Sequence, residues 1–261
     1  MDAGALMSDT VEVFIEAWKL MTARFASHRI QEGDGVASCF GNVPLLFFNL
    51  WVQSRPVASS DELRALLATG KERAAECAHP TGGILRVDWL PAGWEVSVQE
   101  AGLARTMTLT GMESGPLLAA RRPAAAIEIR RVADDVGARD LAMVNARAYD
   151  MPLELFDCMA NIGWWGADSF GYVGYVDGKP VSTAAALPVA GTVYIALVAT
   201  MPEAQSKGYA ETVMRHAVTQ GQRSMGTMRT TLHASDKGRP VYAAMGYVAV
   251  GEFALVAAAK T

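Results

Sequence analysis

The sequence predicts an α/β protein with mixed sheets, arranged as two domains. The chain has 261 residues, of which 51% are hydrophobic, and this is enough for two buried cores. Residues 111–126 are rich in Gly, Pro and Ala and show neither helix nor strand periodicity, so they divide the chain near its middle. We therefore expect a smaller α/β domain over residues 1–118, a linker over 119–126 and a second domain over 127–261.

The first domain is predicted to contain helices and strands in mixed order. Ser8-Asp9-Thr10 can cap a first helix, which carries an apolar stripe that includes Phe14 and Trp18. Ser59-Ser60 followed by acidic residues predicts the start of a second helix. Strands are predicted at residues 42–52, 84–90, 94–98 and 104–109, the last two forming a hairpin around residues 100–102.

The second domain begins with a strand, Ile127–Arg130, and two helices that start near Asp134 and Pro152. A three-strand antiparallel meander follows, because Asp177-Gly178 between two β-rich runs is a strong hairpin signal. The remaining order is helix, strand, short helix and strand. The predicted strands of the meander are 171–176, 180–187 and 192–200, with a turn at 188–191 between the last two. The helix then runs from Ala210 to either Gly221 or Gly226, and 228–233, 240–245 and 247–257 follow.

Composition and charge exclude several function classes. The net charge of −4 gives no general attraction for nucleic acid or for an anionic membrane. The longest apolar run, residues 43–52, contains Pro44 and is shorter than the ~20 residues that span a bilayer. The segment Met1–Asp9 is acidic, unlike a signal peptide, so we expect a cytoplasmic protein. The three cysteines are widely spaced and predict neither a disulfide framework nor a metal site.

The passage from Val198 to Ala210 is the most informative, since a buried strand gives way there to a turn of small residues and a helix. The first N–H groups of a helix have no partner inside it, and the helix dipole makes that end positive. Such an end binds phosphate or pyrophosphate. In the alternative reading Gly208 only permits a tight turn, because one glycine is a weak signal. Neither a P-loop nor a complete dinucleotide fingerprint is present, which disfavours nucleotide hydrolysis and NAD binding.

Two motifs together resemble the GNAT acetyltransferase superfamily. Gln205-Ser206-Lys207-Gly208-Tyr209-Ala210 resembles its Q/R-x-x-G-x-G/A pyrophosphate loop, and Tyr242–Tyr247 resembles its Y-x-x-x-G-F/Y signature. The order of elements after residue 127 is also similar to that of the family. The resemblance covers about half the chain and implies a GNAT-like acyltransferase fold there. The first half lacks the loop motif and is either a degenerate GNAT-like lobe or an unrelated accessory domain.

The resemblance implies acetyl-CoA as the co-substrate, and the scattered histidines and cysteines predict no metal site. The residues implied to hold coenzyme A are Val198, Ala199, Thr200, Gln205, Ser206, Lys207, Gly208, Tyr209 and Ala210. Tyr242 matches the family's general acid toward the departing thiolate, or else packs beside the cofactor. The strand 192–200 contains no carboxylate or histidine, so His233 is the nearest candidate for a general base, and a structural histidine is the alternative.

The leading hypothesis is an N-acetyltransferase in which an amine of a small molecule or protein attacks the acetyl group directly, within a ternary complex. The first alternative is a non-catalytic acyl-CoA sensor or regulatory module, and the second is a structural assembly protein without a cofactor. We expect neither a nucleic acid nor a membrane as partner. The sequence leaves the oligomeric state open, and a homodimer is only the base-rate guess, because two-fold dimers are the commonest oligomers.

Overall fold

A computed structural model of the protein describes residues 10–166 and 169–259, so the predicted Ser8-Asp9 cap and the segment 1–9 lie outside the described residues. The chain forms two compact units that interleave along the sequence. The first consists of Met1–Met112, His233–Arg239 and Ala249–Thr261, and the second of Glu113–Leu232 and Pro240–Val248. The predicted domains are consecutive instead, and their boundaries stay a prediction. Residues 115–127 form neither helix nor strand.

In chain order the helices and strands are α1 (Thr10–Thr22), β1 (Arg29–Gly33), β2 (Val36–Phe40), β3 (Asn49–Gln53), α2 (Ser60–Ala74), β4 (Gly82–Arg86), α3 (Trp94–Glu100), β5 (Leu103–Ser114), β6 (Glu128–Arg131), α4 (Asp135–Ala148), β7 (Phe170–Val176), β8 (Lys179–Val189), β9 (Thr192–Thr200), α5 (Tyr209–Met225), β10 (Thr230–Ala234), α6 (Arg239–Met245) and β11 (Val248–Ala258). Short 3₁₀ helices lie at Leu46–Phe48, Val87–Trp89, Leu153–Met159, Ile162–Trp164 and Pro202–Ala204.

The first unit is built on a mixed sheet in the order β1-β2-β3-β4-β11-β5. Strands β1, β2 and β3 are antiparallel, β4 joins β3 in parallel after α2, and β11 is antiparallel to β4. Trp51 is 2% exposed and anchors the core. A Cβ at Gly70 or at Gly83 would collide with its ring, so glycine at both positions lets the indole lie between α2 and the sheet.

The second unit has the strand order β10-β9-β8-β7-β6. Strands β6 to β9 are antiparallel, and β10 joins β9 in parallel after α5. Helix α5 packs closely on this sheet, because a Cβ at Gly221 would lie 2.7 Å from a methyl of Val193. Both units thus contain three antiparallel strands, a helix, a parallel strand and a short helix. The first unit repeats the core topology of the second.

Most predicted elements are confirmed, and two in the first unit are wrong. Residues 94–98 were predicted as a strand, but they lie in α3: Trp94 and Val98, four residues apart, are buried, whereas Val96 is 57% exposed. The predicted hairpin around residues 100–102 is therefore absent. Residues 42–52 are a strand only from Asn49, because the buried Asn49 amide donates to the carbonyls of Val43 and Pro80 and fixes a loop there.

In the second unit, Pro188 lies within β8 rather than in the turn predicted for residues 188–191. That turn is made by Ala190 and Gly191, which both have positive φ. Within residues 10–166 and 169–259, no helix is both long enough and apolar enough to cross a membrane.

Candidate active site

The loop between β9 and α5 leaves the start of α5 without a side-chain cap. Gly208 is the N-cap residue, with φ 82°, and it provides no side-chain cap for the first turn. Ser206 also has a positive φ, 63°, which is uncommon for a residue with a Cβ. Left-handed residues interspersed in such a turn gather successive N–H groups into a concave anion-binding nest. The loop therefore has the backbone form that the pyrophosphate prediction requires.

Side chains in this loop leave the nest open. Residues 205–208 are all exposed, whereas Ala204 is buried and anchors the turn. The Gln205 amide donates to the carbonyl of Thr200 at 3.4 Å, which ties the loop to the end of β9. Glu211 in the first turn of α5 is paired with Arg215 at 2.8 Å. This pairing offsets the one carboxylate that would repel an anion at this helix end.

The corresponding helix of the first unit, α2, has a different N-terminus. Ser59 accepts a hydrogen bond from the N–H of Glu62, and the Glu62 carboxylate accepts one from the N–H of Ala58. The Ser59 side chain thus caps α2 and satisfies one of its free donors, and the Glu62 carboxylate holds the residue before that cap. With Asp61 and Glu62 both in the first turn, the charge is also wrong for phosphate. Only the second of these two equivalent helix starts suits an anion.

Strand β9 carries a bulge and an open edge. The pairing with β8 shifts between Thr183 opposite Ala199 and Ala185 opposite Ala196, so β9 has one extra residue there. Leu197 lies in this bulge with φ 52°. On its other edge β9 pairs with β10 only at Val193 and Tyr194. In the described structure, residues Ile195 to Thr200 therefore have no partner in β10, and Val198 and Thr200, which were predicted to bind the pantetheine arm, lie in this stretch.

Two buried polar residues that the sequence reading did not select hold the bulge in place. Thr183 and Asn145 are both fully buried. The Thr183 hydroxyl donates to the carbonyl of Leu197 at 2.8 Å, and the Asn145 amide donates to the Thr183 oxygen at 3.1 Å and to the carbonyl of Leu141 at 2.9 Å. A bulge at a site edge re-aims the backbone there. The signal in the sequence was an Asn on the apolar face of α4.

Tyr242 lies on α6 and is only 9% exposed. Its ring meets that of Tyr247 edge-on, with centroids 6.1 Å apart. Burial raises the pKa of Tyr242, and the nearby phenols of Tyr149 and Tyr247 act in the same direction. The phenol therefore stays protonated throughout the physiological range. A protonated phenol can donate to a thiolate, as the predicted general acid must.

His233 lies in the first unit, between the rings of Phe14 and Phe253, at centroid distances of 4.6 and 4.5 Å. Burial lowers the pKa of His233 to about 3, and the charge of Arg86 acts in the same direction. Such an imidazole is neutral at pH 7 but is a weak base. The base role of His233 stays a prediction, and this aromatic environment does not favour it.

Residues 165–256 match the family model of the GNAT acetyltransferase domain. Residues 165–256 carry a GNAT acetyltransferase domain. This GNAT domain includes the predicted loop, Gln205–Ala210, and the Tyr242–Tyr247 motif, both of which lie inside the matched range. No curated protein matches the sequence significantly.

Solved structures show that the GNAT-type fold extends over the first half as well. A GCN5-related N-acetyltransferase from Kribbella flavida is 19% identical, with a TM-score of 0.71, covering 98% of this chain and 97% of its own. A conserved protein of unknown function from Staphylococcus epidermidis ATCC 12228 is 15% identical, with a TM-score of 0.63 and coverages of 90% and 96%. A tandem GNAT protein from the clavulanic acid biosynthesis pathway is 11% identical, with a TM-score of 0.50 and coverages of 76% and 70%. At these identities the likeness concerns the fold alone.

The residues of the GNAT domain fit coenzyme A. The uncapped start of α5 offers N–H donors for a diphosphate, and the unpaired edge of β9 offers backbone groups for the amides of the pantetheine arm. Among the described residues, no three His, Cys, Asp or Glu side chains gather as metal ligands would.

Proposed function

We propose that this protein is an N-acetyltransferase that transfers the acetyl group of acetyl-CoA to an amine acceptor. The observation that carries the proposal is the helix start at Gly208, left without a side-chain cap beside a strand whose edge is unpaired. The GNAT match over residues 165–256 supports it. The acceptor is assigned only as an amine, because a shared fold does not define the acceptor.

Each part of the site has a role in this proposal. The backbone N–H groups of residues 205–210 bind the diphosphate, with Lys207 at the rim. The backbone of Val198, Ala199 and Thr200 holds the pantetheine arm beside the bulge, and an N–H there stabilises the charge that develops on the acetyl oxygen. Acetyl-CoA supplies an activated thioester. Transfer forms a bond between the acceptor nitrogen and the carbonyl carbon, and the C–S bond breaks.

Tyr242 is the proposed proton donor to the sulfur that leaves. Its raised pKa keeps the proton on the phenol until a thiolate forms nearby. The amine must also lose a proton, and β9 contains no carboxylate or histidine to take it. An acceptor that arrives as the neutral amine attacks without prior deprotonation, and the proton that its nitrogen loses after attack restores the phenol of Tyr242. No separate strong base is required, so catalysis consists mainly of orientation.

The lack of a carboxylate or histidine on β9 favours one alternative, an acyl-CoA sensor that binds the cofactor without transfer. Calorimetric titration with acetyl-CoA, desulfo-CoA and NAD tests binding, and an amine panel with thiol detection tests transfer. An enzyme binds both coenzyme A species but not NAD and releases thiol with at least one amine. A sensor binds both and releases none. Failure to bind either coenzyme A species would refute both readings.

A further inference from the structure

Two adjacent arginines, Arg121 and Arg122, lie in the irregular segment 115–127, outside the motifs already discussed. Both are exposed. The segment itself is fixed on the GNAT domain at two points. At one end the N–H of Leu118 donates to the carbonyl of Met245 at 2.9 Å, and the Arg215 guanidinium donates to the carbonyl of Leu118 at 2.7 Å.

The second fixed point lies at the proposed pyrophosphate loop. The N–H of Ala125 donates to the hydroxyl of Thr212, in the first turn of α5, at 3.1 Å. A Cβ built on Gly208 would lie 3.8 Å from the Cβ of Ala125. Since Arg122 precedes Ala125 by three residues, its Cα is within about 11 Å of the Cα of Ala125. The arginine pair is thus held near the loop by bonds on both sides of it.

The loop needs further positive charge for its ligand. Between Gln205 and Glu211 the side chains provide one cation, Lys207, and the one carboxylate, Glu211, is paired with Arg215. Coenzyme A carries a diphosphate and a separate 3′-phosphate, and a phosphate monoester alone has a charge of about −1.5 to −2 at pH 7. The net charge of the chain is −4, so no general field supplies the difference.

We propose that Arg121 and Arg122 bind the 3′-phosphate of coenzyme A. Guanidinium groups suit this role, because their planar donors engage phosphate oxygens in pairs. The inference rests on the proposed function, since it assigns one more part of the same ligand. The segment 115–127 then also makes the protein bind coenzyme A in preference to 3′-dephospho-CoA.

Binding of coenzyme A and of 3′-dephospho-CoA tests the assignment by calorimetry. The wild-type protein should bind coenzyme A about tenfold or more tightly, as expected for charge-assisted hydrogen bonds. In Arg121→Ala/Arg122→Ala this preference should fall to about twofold, with little change for dephospho-CoA. Arg223→Ala is the matched control, because this exposed arginine lies near the other end of α5, about 21 Å from Tyr209. It should keep the wild-type preference.

These measurements test the assignment of the arginine pair separately from the proposed function. An unchanged preference in the double variant, or a loss of preference in Lys207→Ala instead, would overturn the assignment to the arginine pair and leave the proposed function standing. Absence of binding by the wild-type protein to either compound would overturn both. Thermal midpoints within about 2 °C of wild type would show that the exposed substitutions leave folding intact.

Discussion

Gly208→Ala and Gly93→Ala form a matched pair that isolates ligand binding from backbone strain. Gly208 is the N-cap of α5 with φ 82°, and Gly93 is the N-cap of α3 with φ 73°. A Cβ at Gly93 would meet nothing within 4 Å, and one at Gly208 would meet only the Cβ of Ala125, at 3.8 Å. Neither methyl group therefore clashes, and each variant should lose about 1–2 kcal/mol from left-handed strain alone.

The two variants should differ in binding. Both should unfold at a lower temperature, by about 2–4 °C for each kcal/mol lost in a chain of this size class. Only Gly208→Ala adds a methyl group where phosphate oxygens approach the backbone, so its Kd for acetyl-CoA should rise at least tenfold, or about 1.4 kcal/mol. Calorimetric titration of both variants at a temperature well below unfolding measures this. Equal affinities in the two variants would refute the placement of the diphosphate.

Three other predictions concern residues away from the loop. Tyr242→Phe should reduce the rate of thiol release at least tenfold, while the Kd for acetyl-CoA stays within about twofold of wild type, because a proton donor acts after binding. An unchanged rate of thiol release in stopped assays would refute the role of Tyr242 as general acid. Thr183→Val should destabilise the protein by about 1–3 kcal/mol in urea unfolding and weaken acetyl-CoA binding, since the Leu197 carbonyl and the Asn145 amide lose their partner. Thr192→Val is its control, because the buried Thr192 hydroxyl has no hydrogen-bond partner in the described structure. An equal loss of stability and of acetyl-CoA binding in Thr192→Val would contradict the role of Thr183 in holding the bulge. Folding lowers the pKa of His233 from its ordinary value to about 3, so between about pH 6.5 and 3 the unfolded chain binds more protons than the folded one. The free energy of unfolding should therefore fall as the pH drops through that range. In His233→Asn it should fall less steeply, as measured by unfolding titrations at several pH values.

The sequence predicted the second half well because its signals are local. Asp177 and Gly178 both have positive φ, as the predicted tight hairpin requires. Asp134 caps α4 by accepting from the N–H of Gly137 at 2.8 Å. The N-cap at Gly208 and the strand before it also depend on neighbouring residues, so a motif of six residues could predict the loop. The roles of these residues in binding stay predictions.

The first half was harder because tertiary contacts decide its elements. The sequence W-E-V-S-V at residues 94–98 alternates as a strand does, and only burial of Trp94 and Val98 together with exposure of Val96 reveals the helical period. The hairpin of β1 and β2 was missed although Asp34-Gly35, both with positive φ, carried the appropriate turn signal. The bulge at Leu197 depends on Thr183 and Asn145, which are far from it in sequence, so no local pattern predicts it.

The pairing of β11 with β4 has a consequence for biosynthesis. Phe253 to Ala257 pair with Arg86 to Gly82, so the two halves of this ladder are more than 160 residues apart in translation order. Ala254 and Val256 also complete the core around Trp51 and Leu85. Until the ribosome has made them, β4 is an unpaired edge beside an incomplete apolar core, the kind of nascent surface that chaperones bind. Expression of residues 1–118 alone should leave that edge exposed, and coexpression with a peptide of the β11 sequence should improve the yield.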